Sequence, residues 1–354
     1  MTHLLITGDD DRAAEVSRLA AAAAASVQTV GDLGLALRLW GTAPLVLVGA
    51  DRAGAVGDLS PPRRPGVHVI CAGPPADTLF RSALALGAET VSHLPPSAQW
   101  LVEVLGEATE GARAAGVLIG VLGGSGGVGA SVLAAAVAQS LAGAGADAPR
   151  ALTVDLDPLG PGLDRLLGME TVKGVRWEDL SATTGRLSAR ALRDSVPARG
   201  DVAVLGWRSR RPEVVPPFVA REVLQAARRG FDHVVVDLPR HRCPAAEETV
   251  ATCDHLVVVS GSTLASLSSA ARVVAGLQDV GARKHLVVRS HGGVTPEEVS
   301  RVLRVPLTCT LGDQRGLDEA LDLGAGPLRF RRGTLARAAR SVAVDVSTAL
   351  RAVA

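Results

Sequence analysis

Short, wholly apolar runs alternate with amphipathic stretches along the entire chain. In the first third, Leu4-Leu5-Ile6, Pro44–Val48, Val67–Ile70 and Thr90-Val91 predict strands. Arg12–Ala25, Asp32–Leu39, Ala76–Leu86 and Ser97–Glu107 predict helices between them. The alternation resumes with strands over Val117–Leu122, Ala151–Asp155, Val202–Leu205, His233–Asp237, His255–Val259, His285–Arg289 and Leu307–Thr310. Helical patterns fill the gaps, notably Ser131–Leu141, Val219–Arg229, Leu264–Gln278 and Thr334–Leu350. Strands with no polar face are covered on both sides, and strands separated by helices give βαβ units with a parallel sheet. The pattern therefore predicts an α/β chain of two domains, residues 1–110 and 116–354, joined by a linker at 111–115. No internal repeat of fixed period is evident.

The length of 354 residues agrees with two or three domains at roughly 100–200 residues each. A hydrophobic fraction of 47% excludes a disordered chain. Aromatics are 2% and Tyr is absent, which argues against base stacking on single-stranded nucleic acid. The net charge of +1 gives no reason to expect a specific nucleic-acid partner. Residues 1–110 carry 7 Lys/Arg against 12 Asp/Glu and the remainder 30 against 24, an imbalance that also fits two solvated surfaces. Cys243 and Cys253 lie near His241 and His255, but without metal-ligand spacing, and the four cysteines read as small thiols in a reducing compartment. The acidic N-terminus, with Asp9, Asp10 and Asp11, does not resemble a secretory signal. Residues 114–146 carry no charge, yet glycines interrupt the run too early for a spanning helix of about 20 residues.

Those glycines carry the strongest chemical signal. The strand Val117–Leu122 runs into Gly123-Gly124-Ser125-Gly126-Gly127-Val128-Gly129-Ala130-Ser131 and out into a helix. Glycines let backbone amides wrap an anion, and the helix N-terminus adds partial positive charge. Gly124 and Gly129 fit the frame of G-x-x-x-x-G-K-S/T, and Ser131 fits its Mg2+-binding hydroxyl, but Ala130 holds the lysine position. The segment resembles the deviant phosphate loop of the MinD/ParA superfamily, K-G-G-x-G-K-S/T, in which a second lysine reaches a neighbour's nucleotide; Ser125 stands there instead. Only Lys173 and Lys284 exist in the chain, and neither adjoins the loop.

The resemblance extends through the domain. Asp155-Leu156-Asp157-Pro158 is similar to the family's D-x-D-P switch, and Phe231–Arg240 to its Walker B strand. It implies nucleotide binding by Gly124, Ser125, Gly126, Gly127, Val128, Gly129, Ala130 and Ser131, Mg2+ through Ser131, Asp155 and Asp237, and a water-orienting role for Asp157. Arg289-Ser290 replaces the adenine-reading Asn-Arg pair. The Asp237-Leu238-Pro239-Arg240 and Gly174-Val175-Arg176-Trp177-Glu178-Asp179-Leu180 segments resemble the CpaE/TadZ branch and its actinobacterial septum site-determining (Ssd) group. That branch implies a receiver-like (βα)5 domain at residues 1–110, followed by a P-loop domain with a mostly parallel sheet. Asp9-Asp10-Asp11 matches a receiver's acidic cluster, but Gly49 ends the strand where the phosphoacceptor belongs, with Asp51 two residues late. Cys71 and Leu94 replace the hydroxyl and lysine positions, so phosphorelay is not expected.

The implied function is spatial regulation of cell division or of a pilus or secretion apparatus, through protein partners and a homodimer. The expected cofactors are ATP and Mg2+, weakly bound. Losing one preorganised charged contact typically costs on the order of 3 kcal/mol, or ~10²-fold in rate, so little hydrolysis is expected. The alternative is an active ParA/MinD-type ATPase whose turnover drives dimerisation and positioning, with an unidentified arginine or a partner supplying the missing charge; a kinase-like phosphotransferase lacks the loop lysine and a visible substrate pocket. The resemblance also offers membrane-surface binding through Leu328–Ala354, where Arg329, Arg331, Arg332, Arg337, Arg340 and Arg351 face one Asp345. Small residues and no Phe or Trp on the apolar face favour a helix that closes the sheet instead. The expected location is cytoplasmic, with a peripheral position at the inner membrane or septum as its variant.

Overall fold

The apolar runs that pattern the chain become the central strands of two parallel sheets. The computed structural model describes residues 2–110, 115–143, 150–181, 187–208 and 214–351. Residues 111–114 of the expected linker, residues 352–354 and the side chains of Glu110, Ala349, Leu350 and Arg351 lie outside the described residues. The chain divides into two compact units, Met1–Ala114 and Ala115–Ala354.

In the first unit, β1 (Thr2–Ile6), β2 (Ser26–Val30), β3 (Val46–Gly49), β4 (Val67–Ala72) and β5 (Thr90–Leu94) form a parallel sheet in the order β2-β1-β3-β4-β5. Its two faces bury separate apolar clusters, one around Leu4, Ile6, Val46 and Val48, the other around Leu5, Leu47, Ile70 and Leu101. Helices lie on both sides, as the unbroken apolar strands require. Strand β2 was not visible in the hydrophobic pattern. It is a sheet edge, exposed or half-exposed except at Val30, so its sequence Ser-Val-Gln-Thr-Val carries no strong burial signal.

The second unit contains β6 (Val117–Gly123), β7 (Ala151–Asp155), β8 (Ala198–Arg199), β9 (Val202–Leu205), β10 (His233–Leu238), β11 (His255–Gly261), β12 (Arg283–Arg289) and β13 (Leu307–Leu311). Their order is β13-β12-β11-β6-β10-β7-β9-β8, and every pairing is parallel except β8 with β9. The two-residue β8 is an exposed edge addition to the seven expected strands. Strand β6 is buried at all seven positions and sits between β11 and β10. This brings the glycine loop after β6 beside the carboxyl end of β10, at the crevice where open parallel sheets bind ligands. The uncharged helix Ala130–Leu141 then runs back beneath the sheet with Leu133–Ala138 all buried, so the charge-free run spans a buried strand and a buried helix.

The C-terminal helix Thr334–Arg351 covers the same face. Leu335, Ala338, Ala339, Val342 and Val346 are buried in one cluster with Leu133, Val137 and the β6 residues Val117, Ile119 and Val121. Its apolar stripe is thus consumed by the sheet, and among the described residues no helix is long and apolar enough to cross a membrane. Val342 is fully buried, so Val342→Asp places an unpaired charge in the core at a cost of several kcal/mol. We expect loss of soluble folded protein and of a cooperative thermal transition by circular dichroism; a variant that melts like the parent contradicts this packing.

Candidate functional site

The turn after β6 is held from both sides. The Gly124 N–H donates to the Val259 carbonyl at 2.8 Å, and the Ser125 hydroxyl meets that of Ser266 at 3.1 Å. Gly127 and Gly129 take φ values of +72° and +86°, a left-handed region that side chains strain to enter. Gly129 caps the following helix, whose first closing bond runs from the Leu133 N–H to the Gly129 carbonyl at 2.9 Å. The N–H groups of Ala130, Ser131 and Val132 precede that bond and have no helical acceptor. They open on a cavity of about 780 Å³ whose wall includes Gly126, Gly127, Gly129, Ser131, Asp157, Asp237, Arg240 and Arg289.

The acidic residues separate into distinct environments. Asp237 ends β10 next to the loop and is 2% exposed, yet its Oδ2 has no hydrogen-bond partner. Burial pushes its carboxyl up to about 7, with the Ser131 hydroxyl opposing the rise and the Asp157 carboxylate adding to it. Ser131 and the orphaned Asp237 oxygen on the cavity wall make a hard, oxygen-rich pair that fits Mg2+. Asp155 lies opposite Asp237 in the β7–β10 register. It does not line this cavity, because Oδ1 accepts from the Asp157 N–H and Oδ2 from the Leu163 N–H, both at 3.0 Å. Burial first, then the Asp237 charge, pushes its carboxyl up to about 8. Asp157 lines the cavity and uses Oδ1 to accept from the Leu159 N–H at 3.1 Å. The loop residues, Ser131, Asp157 and Asp237 are therefore brought together, while the Asp155 carboxylate is spent on shaping the switch turn.

The Gly174–Leu180 segment serves that same turn from behind. Trp177 is fully buried and donates its indole N–H to the Asp155 carbonyl at 2.7 Å. Buried Arg176 donates to the Val172 carbonyl at 3.2 Å and lies 3.8 Å from the Asp164 carboxylate. Sequence reasoning missed Arg240 and Arg289 as lining residues. Arg289 Nη1 donates to the Gly127 carbonyl at 3.1 Å and Nη2 to Asp313 at 2.9 Å. The available signal was positional: Arg240 follows the Walker B-like Asp237 by three residues, and Arg289 ends a strand two places from β6.

In the first unit two of the carboxylates at this end of the sheet, Asp51 and Asp9, are engaged by local donors. Asp51 accepts from the Thr7 hydroxyl at 2.8 Å and the Gly8 N–H at 2.7 Å, with Arg52 Nε 3.5 Å away. Asp9 caps the first helix by accepting from the Arg12 N–H at 3.1 Å, and Asp10 and Asp11 lie in its first turn, where carboxylates stabilise the helix end. Arg12, itself paired with Glu15, lines the neighbouring cavity of about 590 Å³ together with Asp9, Asp51 and Cys71.

Comparisons with known proteins agree with both units. A family model described as the Rv3660c-like, CheY-like N-terminal domain matches residues 6–116. Over 335 residues the chain is 37% identical to "Uncharacterized protein Rv3660c" of Mycobacterium tuberculosis strain H37Rv, covering 93% of each. Among solved structures, a ParA family ATPase from Chlorobium tepidum TLS has a TM-score of 0.57 at 20% identity, over 66% of this chain and 99% of that one. The septum site-determining protein MinD of Pyrococcus horikoshii OT3, complexed with Mg-ADP, gives 0.54 at 19%, over 65% and 95%. The MinC:MinD complex of Aquifex aeolicus gives 0.55 at 19%, over 66% and 96%. The CheY-like N-terminal fold and the MinD/ParA-like fold with a mostly parallel sheet are those expected from the sequence.

Two measurements check this chemistry. Asp155 and Asp237 have an ordinary value of 3.8 but are pushed up to about 8 and about 7 in the folded chain, so without metal their contribution to stability is fullest below the unfolded value and is lost as pH rises through that window. Asp237→Asn removes part of this slope: its melting temperature should match the parent near the unfolded value and exceed it at the folded one, and equal melts throughout would contradict the burial argument. For the first unit, acetyl phosphate should leave residues 1–110 without the ~80 Da increment of a phosphoryl group in intact-mass spectra; an adduct on Asp51 would show that its arginine and hydroxyl contacts open.

Proposed function

The chain belongs to the Rv3660c-like family, and we propose that it is a nucleotide-responsive regulator of cell division or of apparatus positioning, of the CpaE/TadZ and Ssd type. The observation that carries this reading is the unpartnered, buried Asp237 oxygen facing a glycine loop and helix N-terminus across one cavity. Support also comes from the fold shared with MinD, which is found in one structure with Mg-ADP and in another with MinC. By analogy, this chain acts through protein partners of division, pilus or secretion machinery and forms a homodimer. It works in the cytoplasm or peripherally at the inner membrane or septum.

In this reading the amides of Gly126–Ser131 receive the phosphates of ATP, Ser131 and Asp237 hold Mg2+, and Asp157 orients water. Asp155 acts through the switch backbone it braces. Magnesium, when bound, would neutralise phosphate charge. The chain's own residues exclude water from Asp237 and fix the loop, but the lysines that stabilise the transferring phosphoryl group are replaced by Ser125 and Ala130. Binding by the loop alone is weak, and hydrolysis is slow.

Ala130→Lys should raise MgATP affinity about tenfold, the value of a charge-assisted hydrogen bond, when read by calorimetry on the full chain. Parent turnover should stay below about one per minute, the range of intrinsic P-loop hydrolysis without a supplied arginine. Faster turnover that disappears in Asp237→Ala favours the alternative, an ATPase whose cycle drives dimerisation and positioning.

A further inference from the structure

Resting on the nucleotide-site reading, we propose that Arg240 and Arg289 form a paired guanidinium clamp for the polyphosphate chain of a nucleotide, replacing the loop's missing lysines in binding.

The two side chains reach opposite ends of the glycine loop. A Cβ placed on Gly126 would lie 3.7 Å from Arg240 Nη1, and one placed on Gly129 would lie 3.6 Å from Arg289 Nη1. Both arginines line the cavity that contains the buried, unpartnered Asp237 Oδ2. Among the described residues Arg240, exposed on the cavity rim beside Gly126, makes no hydrogen bond or ion pair, so its guanidinium donors are free for a ligand. Arg289 is half-buried, and its Nε also lacks a partner.

The chemistry selects the ligand class. Two guanidinium groups, a helix N-terminus and a divalent-cation site match a ligand with several adjacent anionic groups better than a single carboxylate or monophosphate. Planar N–H forks engage phosphate oxygens in pairs, whereas an ammonium acts as a point charge. The clamp therefore distinguishes nucleotides by phosphate number, and Asp313 tempers it. Asp313 accepts from Arg289 at 2.9 Å and also lies 3.2 Å from His291, so it competes with the incoming phosphate for Arg289.

The test is calorimetry on the full chain with MgATP, MgADP and AMP, plus competition by inorganic tripolyphosphate. Affinity should fall in the order MgATP, MgADP, AMP, and tripolyphosphate should displace MgATP. Arg240→Ala and Arg289→Ala should each weaken MgATP about tenfold, with partial recovery in the Lys variants. Asp313→Asn should tighten it several-fold, because a competing acceptor is removed. Because Arg289→Ala also releases the Gly127 carbonyl, Arg289→Lys and Asp313→Asn carry the conclusion where circular dichroism shows the alanine variant misfolded. Parent binding that is unchanged in the arginine and Asp313 variants overturns the clamp and leaves the nucleotide site standing. Binding by Ala130→Lys but not by the parent has the same meaning. Absence of binding by both removes the clamp and the nucleotide reading together.

Discussion

Charge balance at the carboxyl ends of Val117–Gly123 and His233–Leu238 is the constraint on which the second unit turns. The sheet delivers two buried carboxylates, Asp155 and Asp237, to neighbouring register positions. Burial disfavours ionisation of both, the Asp237 charge adds to the effect at Asp155, and the Asp157 carboxylate adds to it at Asp237. The loop that faces Asp237 has kept its backbone geometry and carries no cationic side chain of its own. Asp155 is accommodated by two backbone N–H donors, those of Asp157 and Leu163, and so braces the turn that follows its strand. Asp237 has one oxygen left over. Desolvating such a group without a partner costs free energy that packing alone does not return, and the proposed cation site rests on that orphaned oxygen.

The fold was legible because its central strands are buried on both faces. Val117–Leu122, His233–Asp237 and His255–Val259 read directly as continuous apolar runs, and all three are interior strands of one sheet. The misses, Ser26–Val30 and Ala198–Arg199, are sheet edges, where a strand needs no apolar face and its identity depends on a neighbour's hydrogen bonds rather than on its own composition. The C-terminal helix illustrates a different limit. A stripe of Leu335, Val342 and Val346 has the same periodicity whether it meets a sheet or a lipid surface, and only the position of Leu133 and Val137 opposite it resolves the choice.

For the candidate site, sequence spacing conveyed the loop and the three acidic residues because each lies at a strand end defined by local pattern. It could not separate their roles. Asp155 and Asp157 are two residues apart and look equivalent in sequence, but one is enclosed behind Trp177 and the other borders the cavity. Arg240 and Arg289 stood in quoted motifs, but their place on the cavity wall was hidden for a related reason. The chain has thirty-five arginines and two lysines, so residue type alone singles out none of them. What distinguishes these two is convergence of separate strand ends onto Gly126 and Gly129, a property of sheet order rather than of neighbouring sequence.

The same side chain has opposite uses in the two units. In the first, Arg52 and the Thr7 hydroxyl satisfy Asp51, while Asp9 serves the helix it caps, so the acidic cluster is consumed by its own surroundings. In the second, Arg240 has no carboxylate partner among the described residues, and Arg289 is shared between a loop carbonyl and an exposed aspartate. Exposed ion pairs of the latter kind are worth little in water, so exchanging Asp313 for a multiply charged anion needs only a modest gain in contact energy. Under the proposed clamp, ground-state attraction of that sort would not replace a transfer catalyst. An arginine held by Gly127 and Asp313 would attract phosphate from the rim, whereas a lysine at position 130 would extend from the helix N-terminus itself toward the charge that develops during transfer. Such a separation of attraction from transfer is what the proposed nucleotide-responsive regulator requires, and it is absent from the alternative, an ATPase driven by turnover.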